Sequence, residues 1–270
     1  MSAWTLLKSG FALQFYFMRN NRAALVSSLV WPYLTLGLLL GMGAFFGSPE
    51  HLSQKVGARV NYVTYFVAST VAAMTSLDLL WGVGGSVLHH RWAGTLPYIL
   101  LSPEGTSATL VLSYVPRYLL SAGIQLAEFA PLILLVEGGA PGASKVAVMA
   151  LAVTLGMLPA LGFAALFASL MLMVKEESNI LGWLNPLILL FSGAFYPAYL
   201  LPVWARAISY ALPTTYTIEL ARLASVIGSP EMRGVALLAG VLAAMSVVYN
   251  AASSVAVEAG ERRAMREGAV

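Results

Sequence analysis

The chain has 270 residues and no cysteine. That excludes a disulfide framework, an iron–sulfur site and a thiol nucleophile. Charge is scarce as well. Asp, Glu, Lys and Arg make up 10% of the residues, against roughly 25% in an average soluble domain. The only histidines are His51, His89 and His90. Neighbouring side chains on a helix point about 100° apart, so His89 and His90 make a poor metal pair, and zinc wants three or four protein ligands. His-Glu-x-x-His and Gly-x-Ser-x-Gly do not occur. The run from Gly138 to Lys145, GGAPGASK, lacks the Gly-Lys-Ser/Thr ending of a P-loop. We therefore expect no metal, cofactor or catalytic residue, and no ATP hydrolysis by this chain itself. The net charge of +3 is not gathered into a basic patch, so no nucleic-acid partner is expected.

Apolar residues are what the chain has in abundance, at 59%. No soluble core could hide that much, so the solvent is lipid. The first residues lack the basic region, apolar core and small-residue cleavage site of a secretory signal, so the apolar runs are expected to be retained as spans. A helix needs roughly 20 apolar residues to cross a bilayer. Six stretches qualify, at about 23–46 (with Pro32 as a kink), 60–83, 109–136, 146–174, 180–199 and 235–257. The expected fold is all-α, a polytopic membrane protein with six transmembrane helices over residues 23–257.

The segments between are read from their breakers. Residues 1–22 form an amphipathic interfacial helix, with Trp4, Leu7, Phe11, Phe15 and Met18 on one side. Residues 47–59 and 175–179 are polar loops. Gly138–Gly142 is a compact turn. In 201–228, Pro202, Trp204, Arg206, Tyr210, Pro213, Tyr216, Glu219 and Arg222 interrupt the apolar residues too often for a span. Short helices that enter the bilayer and return fit that pattern, covered by protein or a water-filled cavity. Residues 258–270 read as a solvated tail. Six spans put both termini on one side. Nine Lys and Arg then lie on that side and six on the other, which favours cytoplasmic termini.

The stretch from His89 to Pro103, HHRWAGTLPYILLSP, stands between two spans and is too short to cross. Gly94 permits a tight turn. Thr95 reads as a helix cap, and Pro97 falls in the first helical turn, where its missing N–H costs little. Leu96, Ile99, Leu100 and Leu101 make the piece apolar. Ser102-Pro103 reads as the cap and first residue of the next helix. The expectation is a short apolar helix over about 88–102, outside the membrane and pressing on something.

Charges inside spans cost ~2.5–3.5 kcal/mol on insertion scales. Asp78 is expected near the inner end of the second span. With Arg117 at the inner headgroups, Glu128 lies 11 residues on, ~16 Å deeper at 1.5 Å per residue. Gln125 is three residues before it on a neighbouring face. Gln125 and Glu128 are candidates to line or gate a pathway, or to make buried structural hydrogen bonds. Glu219 and Arg222, spaced i, i+3, are expected to pair locally. Tyr196, Tyr199, Trp204, Tyr210 and Tyr216 form an aromatic set, read as interface anchors or as substrate contacts.

Two stretches together resemble a known family. One is Arg91-Trp-Ala-Gly94-Thr95-Leu96 followed by Leu100-Leu101-Ser102-Pro103. The other is Phe191-Ser192-Gly193-Ala194-Phe195-Tyr196-Pro197, continuing through Leu201-Pro202 and Trp204 to Pro213 and Arg222. Both are similar to the membrane permeases of type-2 ATP-binding cassette exporters, which carry drugs, lipid-linked glycans or antibiotics. The resemblance covers nearly the whole chain. It implies that 88–102 is a coupling helix, that 1–22 is a connecting helix against the same partner, and that 201–228 caps a translocation path on the outer side. It implies a plasma-membrane location, two permease copies as a homo- or heterodimer, and a separate ATP-binding subunit that holds ATP and Mg. The family's carboxylates around Gly-Thr-Leu are absent; His89, His90, Trp92, Ala93 and Pro97 stand there. The ATPase contact is therefore expected to be mainly hydrophobic, through Leu96, Ile99 and Leu100, with Arg91 its one fixed charge. Two other readings stay open: an ion-coupled secondary transporter, and a membrane-embedded enzyme or assembly factor with no ATPase.

Overall fold

The computed structural model describes residues 3–45, 49–102, 105–173, 180–228 and 232–266. Among the described residues the fold is all-helical; one isolated antiparallel bridge, Val60 to Val226, is the extended exception. Five helices are long and apolar enough to cross a membrane: α2 (Arg22–Phe45), α4 (Tyr62–Trp92), α6 (Thr106–Glu137), α7 (Gly139–Met173) and α11 (Met232–Arg266). Shorter helices are α1 (Ala3–Asn20), α3 (Pro49–Val56), α5 (Leu96–Leu100), α8 (Ile180–Phe191), α9 (Val203–Ala211) and α10 (Pro213–Arg222).

Helix α4 is the axis of the bundle. Its start is set by Asn61, whose side-chain oxygen accepts the N–H groups of Val63 (3.1 Å) and Thr64 (3.3 Å), satisfying donors that a helix start leaves open. Every residue from Thr64 to Leu77 is buried. The hydroxyls in that run turn back onto their own helix: Ser69 to Tyr65 (2.8 Å), Thr70 to Phe66 (2.8 Å), Thr75 to Val71 (2.7 Å) and Ser76 to Ala72 (2.8 Å). A polar residue is tolerated in an apolar packing layer when its hydroxyl is satisfied this way.

Around α4 the packing is close enough to need glycine. A Cβ on Gly162 of α7 would lie 2.6 Å from the backbone of Tyr249 and Asn250 on α11. Side chains that small let two helix backbones meet where no water-driven force holds them together. Helices α6 and α7 form a hairpin that breaks only at Gly138, with φ of 87°. At its tip the Lys145 ammonium lies 2.5 Å from the Glu137 carboxylate, which also accepts the Thr64 hydroxyl at 2.5 Å.

The bundle has two distinct ends. At one, Thr64 of α4 meets Glu137, and Asn61 N–H donates to Ser225. At the other, α5 follows α4, Arg91 reaches the end of α7, and Gly260 of α11 packs on Ser169 and Leu172. Helix α1 lies toward that end too, with Gly10 against Ser113 and Pro116 of α6. The chain leaves α7 at the α5 end, and Gly234, at the start of α11, faces Leu223 near the opposite one. The segment between must therefore carry it from end to end.

Several expected boundaries move. The fifth expected span, 180–199, is α-helical only to Phe191, with a single 3-10 turn over Ala198–Leu200; twelve residues rise ~18 Å, short of a ~30 Å hydrocarbon core. Gly193, with φ of 75°, turns the chain there. Helix α4 continues nine residues beyond Val83 to Trp92, so His89, His90 and Arg91 belong to its last turns. Gly139–Gly142 is helix rather than turn, and the tail is helical to Arg266 with Ala264 buried. The expected loop 47–59 holds α3. Residues 201–228 are short helices, as the interruptions suggested. The loop 175–179 lies outside the described residues.

Candidate functional site

The turn from α4 into α5 is built by a few local contacts. Gly94 takes φ of 67°, as expected of the tight turn. Thr95 does not cap α5 with its side chain. Its hydroxyl meets His90 Nδ1 at 2.8 Å, and its N–H donates to the His90 carbonyl at 2.8 Å, which locks α5 onto the last turn of α4. Pro97 falls in the first turn of α5. Arg91 does not stand as an outward charge: its Nη2 donates to the Met171 carbonyl at 2.9 Å. Leu96 and Leu100 are 2% and 5% exposed and join the core, with half-buried Ile99 against them. The open side of the joint carries other residues, Trp92 (64%), Tyr98 (77%) and Leu101 (77%). Leu96 and Leu100 are four residues apart and so share one face of α5, whereas Leu101 is already the C-cap beyond the helix, which is why a buried and an open leucine adjoin. The α6 helix begins at Thr106, not at Ser102. Ser102 Oγ accepts from Thr109 Oγ1 at 3.0 Å instead. Pro103 lies outside the described residues.

A second assembly gathers around Arg222, 7% exposed. Its Nε donates to Ser69 Oγ at 2.7 Å, and its Nη2 to the carbonyls of Gly193 and Ala194, both at 2.8 Å. The guanidinium also lies 4.3 Å from the centre of the Tyr65 ring. The expected Glu219–Arg222 ion pair does not form among the described residues. The reason is competition: two carbonyls freed by the turn at Gly193 need donors in a dry setting, and the fork of Arg222 fits them. Tyr196 OH donates to the Leu190 carbonyl at 3.2 Å, and Pro197 is buried. Tyr199 and Trp204 are exposed, with Trp204 edge-on to Phe191. Tyr216 is half-buried beside Tyr210.

The polar residues of α6 divide. Gln125 faces α4: its Nε2 donates to Ser121 Oγ at 3.2 Å, and Ser121 donates to the Asp78 carboxylate. Asp78 sits near the middle of α4, not at its end, because α4 runs on past the expected boundary. Glu128 turns elsewhere. Tyr33 of α2 reaches its backbone carbonyl at 3.4 Å, and both carboxyl oxygens are closed from solvent without a hydrogen-bond partner. Gln125 and Glu128 thus do not form one cluster. Sequence reasoning missed Ser121, although Arg117, Ser121 and Gln125 recur every four residues along one stripe of α6. Among the described residues no His, Asp or Glu group is placed to hold a metal ion.

Neither protein-family models nor curated proteins match this chain.

Proposed function

We propose that this chain is the permease subunit of an ATP-driven exporter of the type-2 ATP-binding cassette kind. It works as a dimer in the plasma membrane with both termini in the cytoplasm, and a separate subunit binds ATP and Mg. Segment 180–228 makes the fifth crossing, and Gln125, Glu128 and the aromatic residues Tyr196, Tyr199, Trp204 and Tyr216 border the pathway.

One observation carries this reading. Helix α5 is fixed to the bundle by Leu96, Leu100 and the His90–Thr95 contact, while Trp92, Tyr98 and Leu101 stand open on its other side. A ligand or motor shifts an equilibrium only through contacts that differ between two states. A partner that grips Tyr98 and Leu101 would move α4 and α6 together, because α5 is locked onto the last turn of α4 by the His90–Thr95 contacts and Ser102, just beyond it, is hydrogen-bonded to Thr109 of α6. The apolar character of the open residues replaces the carboxylates usual in the family.

The test is co-expression with an ATP-binding cassette subunit and reconstitution of both into vesicles. Insertion of Gly-Ser between Trp92 and Gly94 is expected to leave membrane insertion and ATP hydrolysis intact and to abolish transport. Full transport by that variant, or failure of any ATP-binding subunit to co-purify with the parent chain, overturns the reading.

A further inference from the structure

Helices α1, α2, α4 and α6 enclose a small cavity of about 140 Å³. Gln14, Phe17 and Arg117 line both it and a wider cavity of about 890 Å³, which extends to His89, His90 and Trp92 at the α5 end. The two cavities adjoin at these residues on the inside of α1.

Their polar groups are sorted by sign. Deep in them stand acceptors. Asp78 takes one hydrogen bond, from Ser121. Gln125 is 4% exposed, and its Oε1 is buried with no partner. At the junction stands Arg117, which makes no hydrogen bond or ion pair among the described residues. Arg117 and Ser121 are one turn apart on α6, ~6 Å along the axis. So the carboxyl of Asp78 and the guanidinium of Arg117 line the same cavity, near enough for their charges to interact but with no hydrogen bond between them. Removing charged groups from water without a hydrogen-bonded partner is costly, and a third group that bridges the two offsets that cost. A bridging group must offer a cationic donor to Asp78 and an anionic acceptor to Arg117.

We propose that this pair of cavities binds a zwitterionic amphiphile whose primary ammonium sits on Asp78 and Gln125 and whose phosphate sits on Arg117. A primary ammonium carries three donors, enough for Asp78, for the orphaned Gln125 Oε1 and for one more acceptor. A trimethylammonium carries none and leaves Gln125 unsatisfied. Phe17, Met74, Trp81 and Tyr114 supply the apolar wall for an acyl chain. The proposal rests on the chain's lying in a membrane and not on its being a permease.

The test is equilibrium binding of labelled lysophosphatidylethanolamine to the full chain in detergent, without any ATPase, so that its failure leaves the transport reading standing. Binding is expected to be about tenfold tighter than that of lysophosphatidylcholine, the difference one charge-assisted hydrogen bond makes. Asp78→Asn is expected to erase that preference and to spare lysophosphatidic acid. Arg117→Gln is expected to weaken lysophosphatidylethanolamine and lysophosphatidic acid alike, about tenfold. Gln125→Leu keeps the side-chain bulk and is expected to reduce the preference even where Asp78→Asn does not fold. Soluble phosphoethanolamine that displaces the lysolipid at equal concentration overturns the lipid as the source and leaves the head group as the ligand. Equal binding of the three lysolipids, or an unchanged preference in folded Asp78→Asn or Gln125→Leu protein, overturns the site.

Discussion

Arg222 stacks its guanidinium over Tyr65 at 4.3 Å while its nitrogens hold Ser69 and the carbonyls of Gly193 and Ala194. One side chain thereby ties α10 to the bundle axis and to the turn where α8 stops. Truncation to Met is expected to strand three acceptors in a buried site, at roughly 1–3 kcal/mol each before relaxation. Arg222→Lys is expected to recover only part of the loss, since an ammonium lacks the planar fork. Tyr65→Leu is expected to cost less, about 1–2 kcal/mol, through loss of the ring contact. Thermal unfolding in detergent measures all three. An order in which Tyr65→Leu is the worst would contradict the assignment of Arg222 as the anchor.

The buried pair of Lys145 and Glu137 gives a second measurement. Each partner is nearly closed from solvent, and Thr64 adds a third polar group from α4. Removing one charge leaves the other uncompensated, about 3–5 kcal/mol destabilising, whereas replacing both by apolar residues of similar size is often near neutral. Lys145→Met alone and Glu137→Leu alone are therefore expected to lower the melting temperature sharply. The double variant is expected to regain most of it. Additive losses would show that the two groups act separately.

These two clusters show where the sequence was readable. Apolar runs longer than about 20 residues located five of the six expected spans, with seven of those ten ends within three residues, because helix in lipid is the only way to satisfy a spanning backbone short of a barrel. Helix ends were less legible. The second span was expected to end at Val83, yet α4 continues through Gly84, Gly85 and the pair His89-His90 to Trp92, since packing on its neighbours outweighs the ~1 kcal/mol that a glycine costs. The break at Gly193 was hidden inside an apolar run. Spacing alone pairs Arg222 with Glu219, its neighbour in sequence, whereas its partners Ser69, Gly193 and Ala194 lie far away in the chain and depend on the stop of α8 at Phe191. Ser121 carries a signal in its four-residue spacing with Arg117 and Gln125, but a lone serine in a span is uncharged and can satisfy itself on its own helix, so its role shows only in its contact with Asp78.

Glu128 offers a sharper test of the pathway. Its two carboxyl oxygens have no partner to lose, so Glu128→Gln is expected to leave stability within about 1 kcal/mol of the parent chain. Its effect is expected in transport. A carboxyl that borders the pathway changes its charge with pH, so reconstituted vesicles should show a pH profile that flattens in the variant. An unchanged rate and profile, with an unchanged melting temperature, would place Glu128 outside the pathway.

The open face of α5 separates coupling from folding most directly. Tyr98 and Leu101 are exposed, while Leu96 and Leu100, each two positions from Tyr98, are core. Tyr98→Ala and Leu101→Ala touch little of the chain itself, and surface changes of that kind usually stay within about 0.5 kcal/mol. Leu96→Ala and Leu100→Ala each open a cavity worth about 2–5 kcal/mol. The first pair is therefore expected to keep the parent melting temperature and to lose transport and ATPase stimulation when an ATP-binding subunit is present. The second pair is expected to lose stability first, with or without that subunit. If Tyr98→Ala and Leu101→Ala retain full coupling, the partner does not grip this face. In that case the rigid joint between α4 and α6 serves only to close the bundle.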